Sequence, residues 1–210
     1  MEKKNSNLTF GVDIDEVLRS LIPGMVRLYN EEFGENMSID DVKDFVVDNS
    51  FPKIMERTGE SASKWFFQDH GKELFLESDE IKGSKEALDT LRKYGKVIII
   101  SYQKSLANKI DTLQWLSEHG MEYDGICFVK DKSVVHVDWL IDDNDWNFIG
   151  TSCVFGALIN APYNEGVDVN SLAEKGGPSC AYIKRYNSLL DFSREAEFIY
   201  SGKFLRQMKI

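Results

Sequence analysis

Two aspartates one residue apart, Asp13 and Asp15, close the apolar stretch FGVDIDEVLR at positions 10–19. In an extended strand side chains alternate, so both carboxylates fall on one face at its end. Two negative charges held side by side cost free energy unless a cation lies between them. The spacing alone is weak: with 18 Asp in 210 residues, chance gives roughly 1.5 such pairs, and Asp143-Asn144-Asp145 is another. What gives it weight is the order of groups downstream. Ser101 ends the apolar run KVIIIS, Lys130 and Lys132 follow GICFV, and Asp142-Asp143 end VDWLID. Three or four carboxylates gathered at one place require a hard divalent cation, and oxygen ligands suit Mg2+. With the metal and Lys132 neutralising phosphate oxygens and Ser101 donating a hydrogen bond, Asp13 can attack phosphorus in line to give an aspartyl-phosphate. Asp15 is then placed to protonate the leaving alkoxide and later to deprotonate water. Taken singly, Asp142-Asp143 reads equally as a helix cap, Ser101 as a turn hydroxyl and Lys132 as a surface lysine. Their common position after strand-like runs argues for the joint reading.

The elements that would bring these groups together are short apolar runs at 8–14, 96–101, 125–129, 137–142 and 152–161. Helical patterns lie between several of them. Ser84 is expected to cap a helix carrying Leu88, Leu91 and Tyr94 and stopped by Gly95; Leu106, Ile110, Leu113 and Leu116 mark another, stopped by Gly120. Strand alternating with helix implies a parallel sheet covered on both faces, whose strands all open their carboxyl ends on one edge. From about Val17 to Glu80 the rhythm breaks, with helical patterns and no convincing strand. Leu18, Leu21, Met25, Leu28 and Phe33 have helical spacing, which Pro23-Gly24 should kink or restart. Ser38 with Asp41 resembles a capping box opening a further helix. Phe51, Trp65, Phe66, Phe67 and Phe75 crowd 51–75; they read first as this segment's own core, and Phe51, Trp65 and Phe66 also as candidates to stack on a substrate's base. His70, His119 and His136 are scattered and read as structural or exposed, Trp139 and Trp146 as packing residues, and the tail from Asn187 to Ile210 as a polar-faced helix.

Bulk properties narrow the partners. A chain of 210 residues, 42% hydrophobic, suffices for one well-buried core with a smaller satellite. A formal charge of -10 repels a polyphosphate backbone, which argues against a nucleic-acid polymer and leaves small phosphomonoesters whose charge a metal screens. Cys127, Cys153 and Cys180 form neither a paired framework nor a C-x-x-C zinc pattern, and free thiols suit a reducing cytoplasm. The start MEKKNSNL has no apolar signal segment and the longest apolar run, VIII at 97–100, is too short to span a bilayer, so no membrane partner is expected. Homodimerisation is left open.

The series Asp-x-Asp, Ser, Lys, Asp-Asp resembles the haloacid dehalogenase-like phosphohydrolases. Within them the chain is similar to the 5'(3')-deoxyribonucleotidases of the cytosolic type C kind, most specifically at KDKSVVHVDWLIDDN (130–144), and also at ELFLESDEIKGSKEAL (73–88), NAPYN (160–164) and KRYNSLLDF (184–192). The resemblance implies an α/β fold, a Rossmann-like three-layer parallel-sheet core (1–16 and 81–210) with a small helical cap inserted at 17–80. It implies a Mg2+-dependent phosphomonoesterase acting on (deoxy)nucleoside monophosphates, with Asp13 the nucleophile, Asp15 the acid/base and its backbone carbonyl a metal ligand. Ser101 and Lys132 would bind phosphate, and Asp142 and Asp143 would bind or support the metal. Sugar phosphates or nucleic-acid 3' ends are the competing substrates; a phospho-receiver domain, which arranges its acids in a different order, is the competing class. Two departures stand out: Glu16 where the family has Gly, expected to alter the turn into the cap, and Ser101-Tyr102-Gln103 where Thr is followed by Ser-Pro or Ala-Arg, expected to alter phosphate or sugar contacts.

Overall fold

Phe10 and Val12 are fully buried on one side of their strand and Gly11 faces the other, the period-two pattern of a strand covered on both faces. The computed structural model describes residues 8–151, 153–175 and 182–202, so Cys180 and the last eight residues of the expected C-terminal helix lie outside it. Among the described residues, strands β1 (Thr9–Val12), β2 (Lys96–Ser101), β3 (Gly125–Phe128), β4 (Trp139–Asp142), β5 (Phe155–Ile159) and β6 (Tyr182–Tyr186) form one parallel sheet. Their order is β3-β2-β1-β4-β5-β6. The chain moves outward from β1 in one direction through β2 and β3, then returns to start β4 on the other side. That reversal beside β1 opens a crevice at the carboxyl ends of β1 and β4. Five of the strands coincide with the apolar runs; β6, YIKRY, carries two charges in five residues and gave no comparable signal.

Alternate strand residues feed two cores. Phe10, Val12, Ile99, Trp139, Ile141, Ala157 and Ile159 pack beneath α6 (Ser84–Tyr94), α7 (Leu106–Glu118) and α9 (Leu189–Tyr200), whereas Ile100, Leu140, Leu158 and Ile183 meet Phe148 and, on α8 (Val169–Lys175), Leu172 of the opposite layer. Two expectations need correcting here. Gly83, at φ +83°, is the N-cap of α6; Ser84 is its first residue, and its hydroxyl donates to the carbonyls of Leu18 and Ile81. On α7 Leu106, Ile110 and Leu113 are exposed, and the buried face holds Asn108, Thr112, Trp115 and Leu116. The apolar spacing was real, but a polar face turns inward because it must meet a buried arginine, described below. Trp139 is buried as expected, while Trp146 is exposed.

Between β1 and β2 the chain builds a separate helical body: α1 (Ile22–Phe33), α2 (Val47–Ser50), α3 (Pro52–Thr58), α4 (Ala62–Lys64) continuing into a π-helical turn (Trp65–Asp69), and α5 (Gly71–Glu77). Pro23 does not kink α1; it sits in the first turn, where its missing N–H is not needed. Leu18 and Leu21 consequently lie in the turn before the helix. Ser38 and Asp41 do form a capping box, around a single 3-10 turn (Ile39–Asp41). The body has its own core of Met25, Tyr29, Phe33, Phe51, Ile54, Trp65, Phe66, Leu74 and Phe75. It joins the sheet domain through two short crossings paired with each other, Ser20 N–H to Asp79 O at 3.0 Å and Ile81 N–H to Leu18 O at 2.8 Å.

The link from α6 into β2 is close enough to demand glycine. A Cβ at Gly95 would lie 2.4 Å from the backbone oxygen of Leu8, which accepts the Lys96 N–H that starts the β1–β2 ladder. Gly95→Ala is therefore expected to cost about 1–3 kcal/mol, read as a fall in thermal midpoint of several degrees. Gly166→Ala, in open space, should leave the midpoint unchanged.

Candidate active site

Parallel strands ending on one edge deliver Asp13, Ser101 and Asp142 from β1, β2 and β4, and the 3-10 turn Lys132–Val134 after β3 delivers Lys132. The Asp13 N–H continues the ladder to Ile141 O at 3.0 Å, so the carboxylate stands one residue past the strand on a fixed backbone. Lys132 Nζ lies 2.8 Å from Asp13 Oδ1 and 2.6 Å from Asp142 Oδ2. Asp142 Oδ1 accepts from Asn144 N–H and Asn147 Nδ2, so both its oxygens are engaged. Asp143 differs: Tyr163 OH donates to Oδ2, and Oδ1 is buried with no partner among the described residues. Oxygens of Asp13, Asp142 and Asp143 lie within 4.8 Å of one another.

Charge counting shows what this cluster lacks. Three buried carboxylates against one ammonium leave two negative charges uncompensated, and burial makes that costly. Desolvation pushes the Asp13 carboxyl up to about 7 although Lys132 opposes it, with Asp142 and Asp15 adding to the rise. Asp143 is raised well above the carboxylate range by burial and then by its two acidic neighbours. Burial alone would lower Lys132, but Asp13 and Asp142 outweigh it and hold the ammonium firmly protonated. A donor set of hard oxygens, a deficit of two charges and one orphaned buried oxygen fit a divalent cation such as Mg2+.

Asp15, half-buried, is held from both sides. Arg19 donates to Oδ1 through Nη2 at 2.6 Å and Nε at 3.0 Å, and Gln103 Nε2 donates to Oδ2 at 2.9 Å. Gln103 also reaches Ser101 Oγ at 3.2 Å, tying the acid to the hydroxyl on β2. Arg19 is wholly buried, its guanidinium over the rings of Phe75 and Trp115, and it bonds Phe75 O and Thr112 Oγ1. This is the charge that the polar face of α7 meets.

The six strand-end residues expected from the sequence thus share one edge, whereas Lys130 is exposed. Phe51, Trp65 and Phe66 do not line an opening. Phe51 and Phe66 are fully buried, Trp65 nearly so, and their rings pack against one another and against Tyr29 and Phe33. They are in packing positions, with no free ring face for a base. Tyr163, which bonds Asp143, meets the half-exposed ring of Phe45 edge-on at 5.5 Å. Sequence reasoning missed Phe45, Tyr163 and Arg19, and singled out Gln103 only as a departure after Ser101. Only Arg19 left a clear signal, a lone charge inside the apolar stretch VLRSLI.

The family model described as "5' nucleotidase, deoxy (Pyrimidine), cytosolic type C protein" matches residues 7–175. The chain belongs to this family. It is a phosphomonoester hydrolase. The 5'(3')-deoxyribonucleotidase of Clostridium acetobutylicum is 28% identical over 166 residues, covering 76% of this chain and 87% of that one. Among solved structures, a haloacid dehalogenase-like hydrolase from Streptococcus pneumoniae superposes with a TM-score of 0.59 at 16% identity, covering 91% and 98% of the two chains. The L-2-haloacid dehalogenase of Xanthobacter autotrophicus gives 0.55 at 10% identity over 90% and 98%. These two likenesses establish the fold.

In this hydrolase Glu16 adopts φ +58°, a conformation costing an L-residue about 1–2 kcal/mol. Its carboxylate offsets that cost: Oε1 accepts the N–H groups of Leu21 at 2.7 Å and Ile22 at 2.9 Å, capping α1. Desolvation still raises Glu16 to about 7 against these two bonds. Between about pH 4 and 7 the metal-free folded protein therefore holds protons, on Asp13 and Glu16, that the unfolded chain releases. Stability is greatest at the acid end of that window and falls as pH rises through 7. Urea midpoints in chelator at pH 5, 6, 7 and 8 should decline steadily; a flat or rising series would contradict the assignment. Added Mg2+ should raise the midpoint more at pH 8 than at pH 5, because protons compete for the same oxygens.

Proposed function

We propose that this protein is a Mg2+-dependent 5'-nucleotidase that hydrolyses (deoxy)nucleoside monophosphates through an aspartyl-phosphate on Asp13. The observation that carries the reading is the buried triad Asp13, Asp142 and Asp143 around Lys132, with Asp143 Oδ1 unpartnered. Asp13, the Asp15 carbonyl and Asp143 would hold the ion, while Asp142, already saturated by Lys132, Asn144 and Asn147, supports it from behind. When bound, the ion supplies positive charge to the phosphoryl oxygens. Lys132 neutralises a further oxygen and Ser101 donates a hydrogen bond.

A carboxylate oxygen of Asp13 forms the bond to phosphorus as the ester P–O bond breaks, and Asp15 gives its proton to the departing alkoxide. Water then adds to phosphorus, loses its proton to Asp15 and displaces Asp13, regenerating both groups. Arg19 occupies Asp15 Oδ1, which leaves Oδ2, shared with Gln103, as the oxygen for proton transfer. The small exposure of Asp13, 8%, suits a terminal phosphoryl group rather than a polymer.

Residues 17–80 act as a cap over the strand ends in this reading, and substrate choice lies there. Phe45 is a half-exposed ring in contact with Tyr163, the partner of Asp143, and stacking on a base is worth about 1–3 kcal/mol in single-strand binders. Location in a reducing cytoplasm accords with the family's cytosolic designation and with the absence, among described residues, of a helix long and apolar enough to cross a membrane.

The test is phosphate release from a panel of ribo- and deoxynucleoside monophosphates and sugar phosphates. Asp13→Asn should lower kcat by about 10³-fold or more, the scale on which a lost nucleophile is felt. Chelator should abolish turnover and Mg2+ restore it. Undiminished release by Asp13→Asn, or a sugar phosphate preferred over every nucleotide, would overturn the reading. The two kinds of aromatic separate in the same experiment. Phe51→Ala should cost about 3–5 kcal/mol of stability, whereas Phe45→Ala should keep the thermal midpoint and raise KM for nucleotides.

A further inference from the structure

Tyr163 does none of the proposed chemistry, yet it is the sole described residue bonded to the Asp143 side chain and it also touches the cap. It belongs to the loop after β5, which is pinned from below. Asn164 Nδ2 donates to Asp143 O and Ile159 O, both at 2.7 Å, and Asn164 Oδ1 accepts from Ala161 N–H and Arg185 Nη1. Arg185 Nη2 in turn holds the carbonyls of Asn164 and Val167. The Tyr163 backbone is thereby fixed to the sheet while its ring points toward the cap. Phe45 lies in the link between the 3-10 turn Ile39–Asp41 and α2, and its ring meets that of Tyr163 edge-on at 79°. The ion pair Lys43–Glu165 bridges the same two segments at 3.2 Å, but both side chains are exposed and such a pair contributes little. The ring contact is the substantial one.

A carboxylate has two oxygens and one torsion that exchanges them. With the hydroxyl on Oδ2, the other oxygen, Oδ1, is the one presented without a partner in the buried cluster. We infer that Tyr163 is a positioning residue that orients Asp143 for the metal, and that Phe45 makes this hold depend on the position of the cap. The inference rests on the reading of Asp143 as a metal ligand. When the cap segment carrying Phe45 moves away, the Tyr163 ring loses the contact that steadies it, and the orientation of Asp143 loosens. Linkage makes the relation reciprocal: whatever draws the cap down tightens the ion, and the ion steadies the cap.

Three variants separate this from simple packing. Tyr163→Phe deletes the hydroxyl and keeps the ring, Phe45→Ala deletes the cap contact and keeps the hydroxyl, and Met55→Ala changes an exposed cap residue. Mg2+ affinity is measured by calorimetry on substrate-free protein, beside thermal midpoints in chelator and amide exchange over residues 42–46 with and without Mg2+. Loss of an orienting partner typically costs 10–100-fold in metal affinity, so Tyr163→Phe should raise the Mg2+ dissociation constant by about that factor. Phe45→Ala should raise it several-fold, and Met55→Ala should leave it unchanged. Mg2+ should slow exchange at 42–46 in the natural protein and fail to do so in Tyr163→Phe. Natural-protein affinity in Tyr163→Phe would overturn the positioning role while leaving the metal reading intact. Unchanged affinity in Phe45→Ala, whose side chain is half outside the fold, would overturn the coupling to the cap. A natural protein that binds no Mg2+ and keeps its turnover in chelator would overturn the metal reading and this inference with it.

Discussion

One lysine between two carboxylates organises this protein's working edge. Lys132 approaches Asp13 and Asp142 within ordinary ion-pair distance, almost without solvent contact, and its charge keeps three neighbouring acids in one buried place. Its hold is incomplete by two charges, and the shortfall is visible in individual groups. Asp13 is pushed toward neutrality, and Asp143 keeps one oxygen that nothing among the described residues satisfies. A site designed only for stability would close that gap with a second cation or replace an acid by an apolar residue, since buried ionic clusters seldom exceed well-packed hydrophobic ones in stability. Leaving it open accords with the proposed binding of a divalent ion and a phosphoryl ligand.

The sheet topology makes that arrangement possible, and it explains why so much was readable in the chain. β1, β2 and β4 are buried on both faces, so they appear as apolar runs, and each ends where its residue becomes polar because the edge begins there. Asp13, Ser101 and Asp142-Asp143 are therefore marked twice, by type and by position after a strand. β6 was silent because it carries Lys184 and Arg185, and Arg185 spends its donors on the loop that supports Asp143. The helix α7 was legible from its apolar spacing, but which face it buries was not, for a related reason. Periodicity assumes that apolar residues turn inward, whereas here Thr112 faces a buried guanidinium and Leu106, Ile110 and Leu113 face out.

Contacts between distant loops leave no periodic trace at all. Tyr163 and Phe45 are 118 positions apart, and nothing in NAPYN or DFVVDN announces that one ring will rest on the other. The aromatics of 51–75 were conspicuous by number and turned out to be the cap's own core, which is what abundance usually signifies. Phe45, the ring that rests on Tyr163, was inconspicuous because it stands apart from that group.

Arg19 and Glu16 show how the cap is joined to the chemistry without strands of its own. Both follow directly on the Asp13-Ile14-Asp15 turn. Glu16 accepts a left-handed backbone, and its carboxylate reaches forward to the first amides of α1, so the opening of the cap is fixed from the residue next to Asp15. Arg19 reaches back to Asp15 Oδ1 while bonding Phe75 O at the cap's last helix and Thr112 on α7. The cap's first and last helices are thus both tied to the one loop that carries Asp15. A displacement of the cap as a rigid body would strain the Arg19 contacts at Asp15 before disturbing Asp13, whose backbone is laddered to β4 and whose side chain answers to Lys132. In the proposed mechanism the attacking group is accordingly held by the sheet, and the proton-transferring group jointly by Arg19 at the entry to the cap and by Gln103 after β2. On that reading, cap position would bear on proton transfer through Asp15 and on the metal through Tyr163, and would leave Asp13 where the strand put it.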